Sequence, residues 1–270
     1  MFLRRAVLAG GAALFAAVIL KHNGEDSSEP AVSWPPPFTR CWDPNWDRRE
    51  PMSLINLNDL KGNSEGDVLK SQLKKYEAKA KRHIYLVRHG QYVKGETDSE
   101  KVLTLLGREQ ANLTGQRLAS FGHTYNVMTY STLQRAKETS EIIGQHLQGM
   151  KCAGSDLLIE GHPIRPDPPS HESKSDVKYF AAGPRIESAF RCFIHRADYE
   201  QKDESYEIIV CHDNVIRYIV CRALQLPPEA WLRMELNHGS ITELVIHPNG
   251  HVTLTMLGDA GHMPVPKLSY

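Results

Sequence analysis

The chain has 270 residues, 41% of them hydrophobic, and its 32 Lys+Arg balance 32 Asp+Glu to a formal net charge of zero. That balance excludes a general nucleic-acid binder, which needs a basic face, and the length suits one sizeable α/β domain with extensions. Cys41, Cys152, Cys192, Cys211 and Cys221 are an odd set without paired spacing, so mostly buried thiols in a reducing compartment are expected.

At the N-terminus, Arg4 and Arg5 precede the uncharged run Ala6–Leu20, and Lys21 and His22 follow it. The run is short of the roughly 20 residues that span a bilayer core. No small-residue cleavage site follows it and no acid precedes Glu25. Residues 1–22 are therefore read as an uncleaved membrane anchor with mitochondrial-targeting character. Residues 23–67 read as a linker, with Pro35-Pro36-Pro37 at its centre. Within the linker, Trp42-Asp43-Pro44-Asn45-Trp46-Asp47 sets two tryptophans one helical turn apart, each followed by aspartate. Exposed tryptophans dock somewhere. The peptide either packs on the chain's own domain or anchors an interface.

Residues 68–270 read as a folded domain. Leu69, Leu73, Tyr76 and Ala80 predict a helix over 68–82 with a lysine-rich outer face. Residues 83–87 predict a buried strand that runs into Arg88-His89-Gly90. Ligand sites in α/β proteins lie at such carboxyl ends. Arginine grips phosphate as a planar fork, histidine is a nitrogen nucleophile, and glycine permits a tight turn against a ligand. These types together point to phosphate chemistry.

A helix over 106–120, capped by Thr104, follows. A strand over 125–130 then leads to a helix over 133–147 that places Arg135 near an anion-attracting N-terminus. Leu157-Leu158-Ile159 predicts a strand over 156–159 ending at Glu160. A helix over 185–196 precedes a strand over 207–211 that ends at His212, repeating the placement of His89. A helix over 214–224 and a hairpin of strands 240–246 and 251–257 around Pro248-Asn249-Gly250 complete the domain. The order predicts a three-layer α/β sandwich with a mostly parallel sheet. No His-Glu-x-x-His, Cys-x-x-Cys, Walker loop or Gly-x-Gly-x-x-Gly is present, so neither a metal nor a cofactor is expected.

Leu86-Val87-Arg88-His89-Gly90, Leu103–Ala111 and Ser131-Thr132-Leu133-Gln134-Arg135-Ala136 resemble the histidine phosphatase superfamily, which includes the phosphoglycerate mutases. The resemblance implies a phosphoglycerate mutase-like fold and a phosphohistidine formed on His89. It also implies phosphate binding by Arg88, Arg135 and His212, with Glu160 as general acid and base; Glu172 and Glu187 are the alternatives for that last role. Many relatives read Gly-His-Gly where this chain has Cys211-His212-Asp213. Asp213 either orients His212 or repels a dianion. Glu172 and His238 are further departures, expected at the rim and away from the catalytic set.

The Trp42–Asp47 peptide narrows the resemblance to the phosphoglycerate mutase family member five group of mitochondrial protein serine/threonine phosphatases. That implies a single-pass N-terminal anchor in a mitochondrial membrane, the outer favoured over the inner, and phosphoprotein substrates. It also implies a homo-oligomer built and activated through Trp42, Asp43, Asn45, Trp46 and Asp47. Some relatives carry an Asn-x-Glu-Ser-Gly-Glu peptide that binds a redox-sensing ubiquitin-ligase adaptor. Here Asn63-Ser64-Glu65-Gly66-Asp67 disturbs its order, which counts against that partner. A small-molecule phosphomonoesterase or mutase, and a non-catalytic scaffold, are the other function classes. The single lysine in Gln91–Glu96 disfavours a mutase, which gathers basic residues at its rim.

Overall fold

The computed structural model describes residues 42–56, 65–170 and 175–270. The expected anchor, the first part of the linker, Asn63, Ser64, His171 and Glu172 lie outside the described residues. Among the described residues no helix is long and apolar enough to cross a membrane.

Residues from Trp42 onward form one compact unit. A helical turn at Pro51–Leu54 leads to helix α1 (Glu65–Tyr76), then β1 (Arg82–Arg88), α2 (Leu105–Ser120), β2 (Val127–Ser131), α3 (Gln134–Gly144) and β3 (Lys151–Ser155). Helix α4 (Asp176–Phe193), β4 (Ser205–Cys211), α5 (Asp213–Ala223), β5 (Ile241–Ile246) and β6 (Val252–Asp259) follow.

The six strands form one sheet in the order β3-β2-β4-β1-β5-β6. Strands β1, β2, β3 and β4 pair in parallel, while β5 and β6 join antiparallel at the other side of β1. The sheet is mixed: three of its five pairings are parallel, and the tight turn at Gly250 returns β6 antiparallel onto β5 without a crossover helix. Side-chain alternation sets the layers. Ile84, Leu86 and Ile209 face a core shared with Ile186 and Phe190 of α4 and Ile219 of α5. Tyr85, Val87, Ile208 and Val210 face a second core with Leu118 of α2 and Ile143 of α3. Burial on both faces explains why β1 and β4 read as continuous apolar runs.

Three expectations are corrected. No strand forms over 156–159: the edge strand is Lys151–Ser155, and Asp156–Leu158 is a single 3₁₀ turn. The exposed Lys-Cys-Ala-Gly-Ser run carries little strand signal, whereas the apolar signal of Leu157-Leu158-Ile159 comes from burying Leu158 in a core. Helix α1 stops at Tyr76 and α4 begins nine residues earlier than expected, at Asp176 rather than 185, continuing through Pro184. Of the four free cysteines described, Cys152 and Cys192 are exposed and only Cys211 and Cys221 are buried.

The Trp42–Asp47 peptide packs on the chain's own domain. Trp46 is buried beside Phe190, with ring centroids 5.7 Å apart, and its indole N–H donates to the Gly250 carbonyl at 2.8 Å. Asp47 forms a buried pair with Arg196, at 2.7 Å, and also accepts from the Arg196 backbone N–H at 2.8 Å. Asn45 donates to Ser53 Oγ at 2.7 Å, and Asp43 and Gln225 exchange backbone-to-amide bonds of 2.9 Å. Trp42 lies against His251 at 5.7 Å.

Candidate active site

The site is a consequence of strand register. Parallel pairing sets Arg88 opposite Cys211 on the adjacent strands β1 and β4. The next residue of each strand is a histidine, so His89 and His212 emerge side by side with ring centroids 5.0 Å apart. Both are almost wholly buried, at 2% and 0% exposure.

His89 Nδ1 lies 2.8 Å from the carbonyl of Gly90, which accepts its proton and leaves Nε2 as the ring nitrogen that carries the lone pair. Burial first, then the charges of His212 and Arg135, holds the His89 pKa well below its ordinary value. The neutral ring is the nucleophilic form. The turn after it demands glycine: a Cβ on Gly90 would sit 2.4 Å from the Gly107 carbonyl oxygen, and one on Gly107 1.9 Å from that of Gln91. Thr104 caps α2 by accepting from Gly107 N–H at 2.9 Å, as expected. The Leu103–Ala111 block is thus structural: it supports the turn that carries His89.

Two guanidinium groups and a second imidazole surround Nε2. Arg135, at the start of α3, donates from Nε to His89 Nε2 at 3.2 Å and stacks its guanidinium over Tyr92 at 4.7 Å. Arg88 bonds the Leu236 carbonyl through Nη1 and lies 3.5 Å from Asp213 through Nη2. His212 Nε2 is 2.8 Å from Ser131 Oγ, and burial holds its ring neutral as well. Arg88 Nε, His212 Nδ1 and His238 Nε2 are all buried without a partner. Buried nitrogens left open in one place call for an acceptor, and the oxygens of a phosphoryl group on His89 Nε2 are acceptors of the right kind.

Glu160 follows the 3₁₀ turn, with one oxygen 3.8 Å from His212 Nδ1. Its backbone is clamped by Arg185, whose guanidinium donates to the carbonyls of Leu157 at 2.9 Å and Glu160 at 3.1 Å. Burial, followed by the charge of Asp213, pushes the Glu160 carboxyl up to about 8. A carboxyl that stays protonated at neutral pH can act as an acid. Glu187, the described alternative, bonds Tyr218 at 2.8 Å and Arg222 at 3.0 Å between α4 and α5, where it is structural.

The register and the turns thus bring together His89, Arg88, Arg135, His212 and Glu160. One position needs correction. His238 is not at the rim: it is 4% exposed, with its ring 5.6 Å from that of His89. Asp213 turns to Arg88, Arg217 and Glu160. The contributions of Tyr92, Ser131 and Arg185 went unseen in the sequence, because each acts across elements far apart in the chain.

Residues 84–165 and 160–259 match the model of the histidine phosphatase superfamily, branch 1. The chain is 57% identical over 276 residues to a protein of Xenopus laevis named mitochondrial serine/threonine-protein phosphatase PGAM5, covering 100% of this chain and 99% of that one. It is 54% identical over 274 residues to the human protein of that name, covering 97% and 95%. The chain belongs to the PGAM5 family of histidine phosphatases. Among solved structures, a phosphoglycerate mutase from Plasmodium falciparum aligns with TM-score 0.51 and 30% identity, covering 71% of this chain and 99% of that one. This PGAM5-family chain is accordingly a phosphatase, and its α/β fold with a mixed six-stranded sheet is of phosphoglycerate mutase type.

Proposed function

We propose that the chain is a membrane-anchored mitochondrial protein serine/threonine phosphatase working through a phosphohistidine on His89. The names of its relatives support the compartment and the substrate class. The observation that carries the mechanism is the contact of Arg135 Nε with His89 Nε2 among buried nitrogens lacking partners.

In the first step His89 Nε2 attacks phosphorus and the bond to the seryl or threonyl oxygen breaks. Glu160 delivers its proton to that departing oxygen. Arg88, Arg135 and His212 hold the non-bridging oxygens and the charge that builds on them. In the second step water attacks the phosphohistidine, its proton passes to Glu160, the N–P bond breaks and phosphate leaves. The positive charge required at phosphorus comes from the chain's own side chains.

Residues 1–22 serve as the anchor, residues 23–67 as a linker and residues 68–270 as the phosphatase domain. The Trp42–Asp47 peptide assembles copies of the chain. Its contacts with Gly250, Arg196 and Gln225 are separated from it by well over a hundred residues in sequence. A second copy can make the same contacts in trans, the exchange that underlies domain swapping. Such an assembly braces the β5–β6 turn and α4, which is how it would activate the domain. A small-molecule phosphomonoesterase or mutase is the second reading, favoured by the Plasmodium falciparum likeness.

The test is turnover of a phosphothreonine peptide and of 3-phosphoglycerate by the full chain and by His89→Ala. Peptide hydrolysis lost in the variant supports the proposal. Faster turnover of the small ester favours the second reading, and peptide hydrolysis retained by His89→Ala overturns the phosphohistidine route.

A further inference from the structure

Two carboxyl groups meet beside the nucleophile. Asp213 is the first residue of α5, where the helix N-terminus and the surrounding guanidinium groups favour its charged form. Its carboxylate lies 3.5 Å from Arg88 and 3.4 Å from Arg217, and its side chain is in hydrogen-bonding contact with Glu160. Two carboxylates in such contact cannot both be ionised without repulsion, so one proton resides between them. The cations decide which carboxyl keeps it. Asp213 pairs with Arg88 of β1 and Arg217 of its own helix, whereas Glu160 feels the charges of Arg88, Arg135 of α3 and Arg185 of α4 with no ion pair to an arginine among the described residues. The imidazoles nearby, His89, His212 and His238, are all held below their ordinary pKa by burial, and His89 is among the groups that favour the charged Asp213.

We propose that Asp213 is a positioning residue that keeps the proton on Glu160 while bracing Arg88. The inference rests on the reading of Glu160 as general acid. The Asp213 charge disfavours Glu160 ionisation before the substrate arrives, so the acid is loaded at neutral pH. After Glu160 has given its proton to the departing oxygen, the two carboxylates face one another. Their repulsion makes Glu160 a stronger base toward the water that attacks the phosphohistidine. The same negative charge weakens binding of a dianionic phosphoryl group. Asp213 therefore exchanges some substrate affinity for a general acid that works at higher pH.

Opposite movements in two kinetic quantities test this. The full chain, Asp213→Asn, Asp213→Ala and Glu160→Gln are compared on a phosphothreonine peptide from pH 5 to 10, each with a thermal melt. The proposal expects the alkaline limb of kcat/KM to move to lower pH by about one unit or more in both Asp213 variants, with KM lowered. A limb unmoved in Asp213→Asn and Asp213→Ala, while Glu160→Gln abolishes it, overturns the proposal and leaves the acid role of Glu160 standing. A limb retained in Glu160→Gln overturns the acid role itself. A uniform fall in activity without a shift, in a variant that still melts cooperatively, marks Asp213 as merely structural and also overturns the proposal.

Discussion

At the scale of single residues, the site separates two kinds of buried titratable group by environment. His89 is held neutral by burial, so its lone pair remains available well below neutral pH. Glu160 is pushed up to about 8 by burial and then by Asp213, so it still carries its proton where ordinary carboxyls have lost theirs. Activity should therefore be lost as pH rises through about 8, and Glu160→Gln should remove that limb from the kcat/KM profile. Linkage gives a matching stability effect. A carboxyl whose folded-state pKa is raised contributes stability below its unfolded value, and that contribution is lost as pH rises through the folded value. Glu160→Gln should thus melt higher than the parent at pH 9, with the difference shrinking by pH 5. Arg135 donates directly to the attacking nitrogen, His89 Nε2, and Arg135→Ala should lower kcat by about 10²–10³-fold, the cost of removing one donor from a preorganised anion site. Arg88, His89 and His212 were legible because each ends, or immediately follows, a buried apolar strand. His238 was misplaced because it sits in irregular chain after a 3₁₀ turn, and the hydrogen bond of its backbone N–H to the Ser269 carbonyl, 2.9 Å, has no sequence signature.

At the scale of elements, the pairing of β1 with β4 and the docking of the Trp42–Asp47 peptide carry the architecture. Helical and strand periodicity made the elements of the central sheet legible, since β1 and β4 are buried on both faces and their helices show one apolar stripe. The edge strand β3 was not legible, because an exposed edge needs no apolar residues. Glu160 was identified through a strand that does not form: what presents it is a turn anchored by buried Leu158 and clamped by Arg185. The self-docking of the tryptophan peptide was one of two open readings, since a motif of anchors does not name the surface it anchors to. The Asp47–Arg196 pair is buried on both sides, at 1% and 3% side-chain exposure. Asp47→Ala leaves the Arg196 charge buried alone and should cost about 3–5 kcal/mol in urea unfolding. Trp46→Ala should cost about 3–5 kcal/mol for the lost core contact. Gly107→Ala should do comparable damage to activity and stability together, because its Cβ would press into the Gln91 backbone that carries the turn after His89.

At the scale of the whole molecule, the carboxyl ends of the central strands β1 and β4 gather the catalytic groups while the turn between β5 and β6 receives the Trp42–Asp47 peptide. Loss of oligomers in Trp46→Ala, read by analytical ultracentrifugation alongside kcat, tests whether assembly and activity fall together. The most direct test of the account is to find the phosphoryl group on the protein. The full chain and Glu160→Gln are mixed with a phosphothreonine peptide or p-nitrophenyl phosphate, quenched under alkaline conditions that preserve phosphohistidine, digested and mapped by mass spectrometry. The account predicts one phosphoryl group on the peptide bearing His89 and none in His89→Ala; with p-nitrophenyl phosphate, whose leaving group needs no proton, Glu160→Gln accumulates more of it because the second step lacks its base. Full turnover with no phosphoryl group on His89, or labelling confined to another residue, would contradict it.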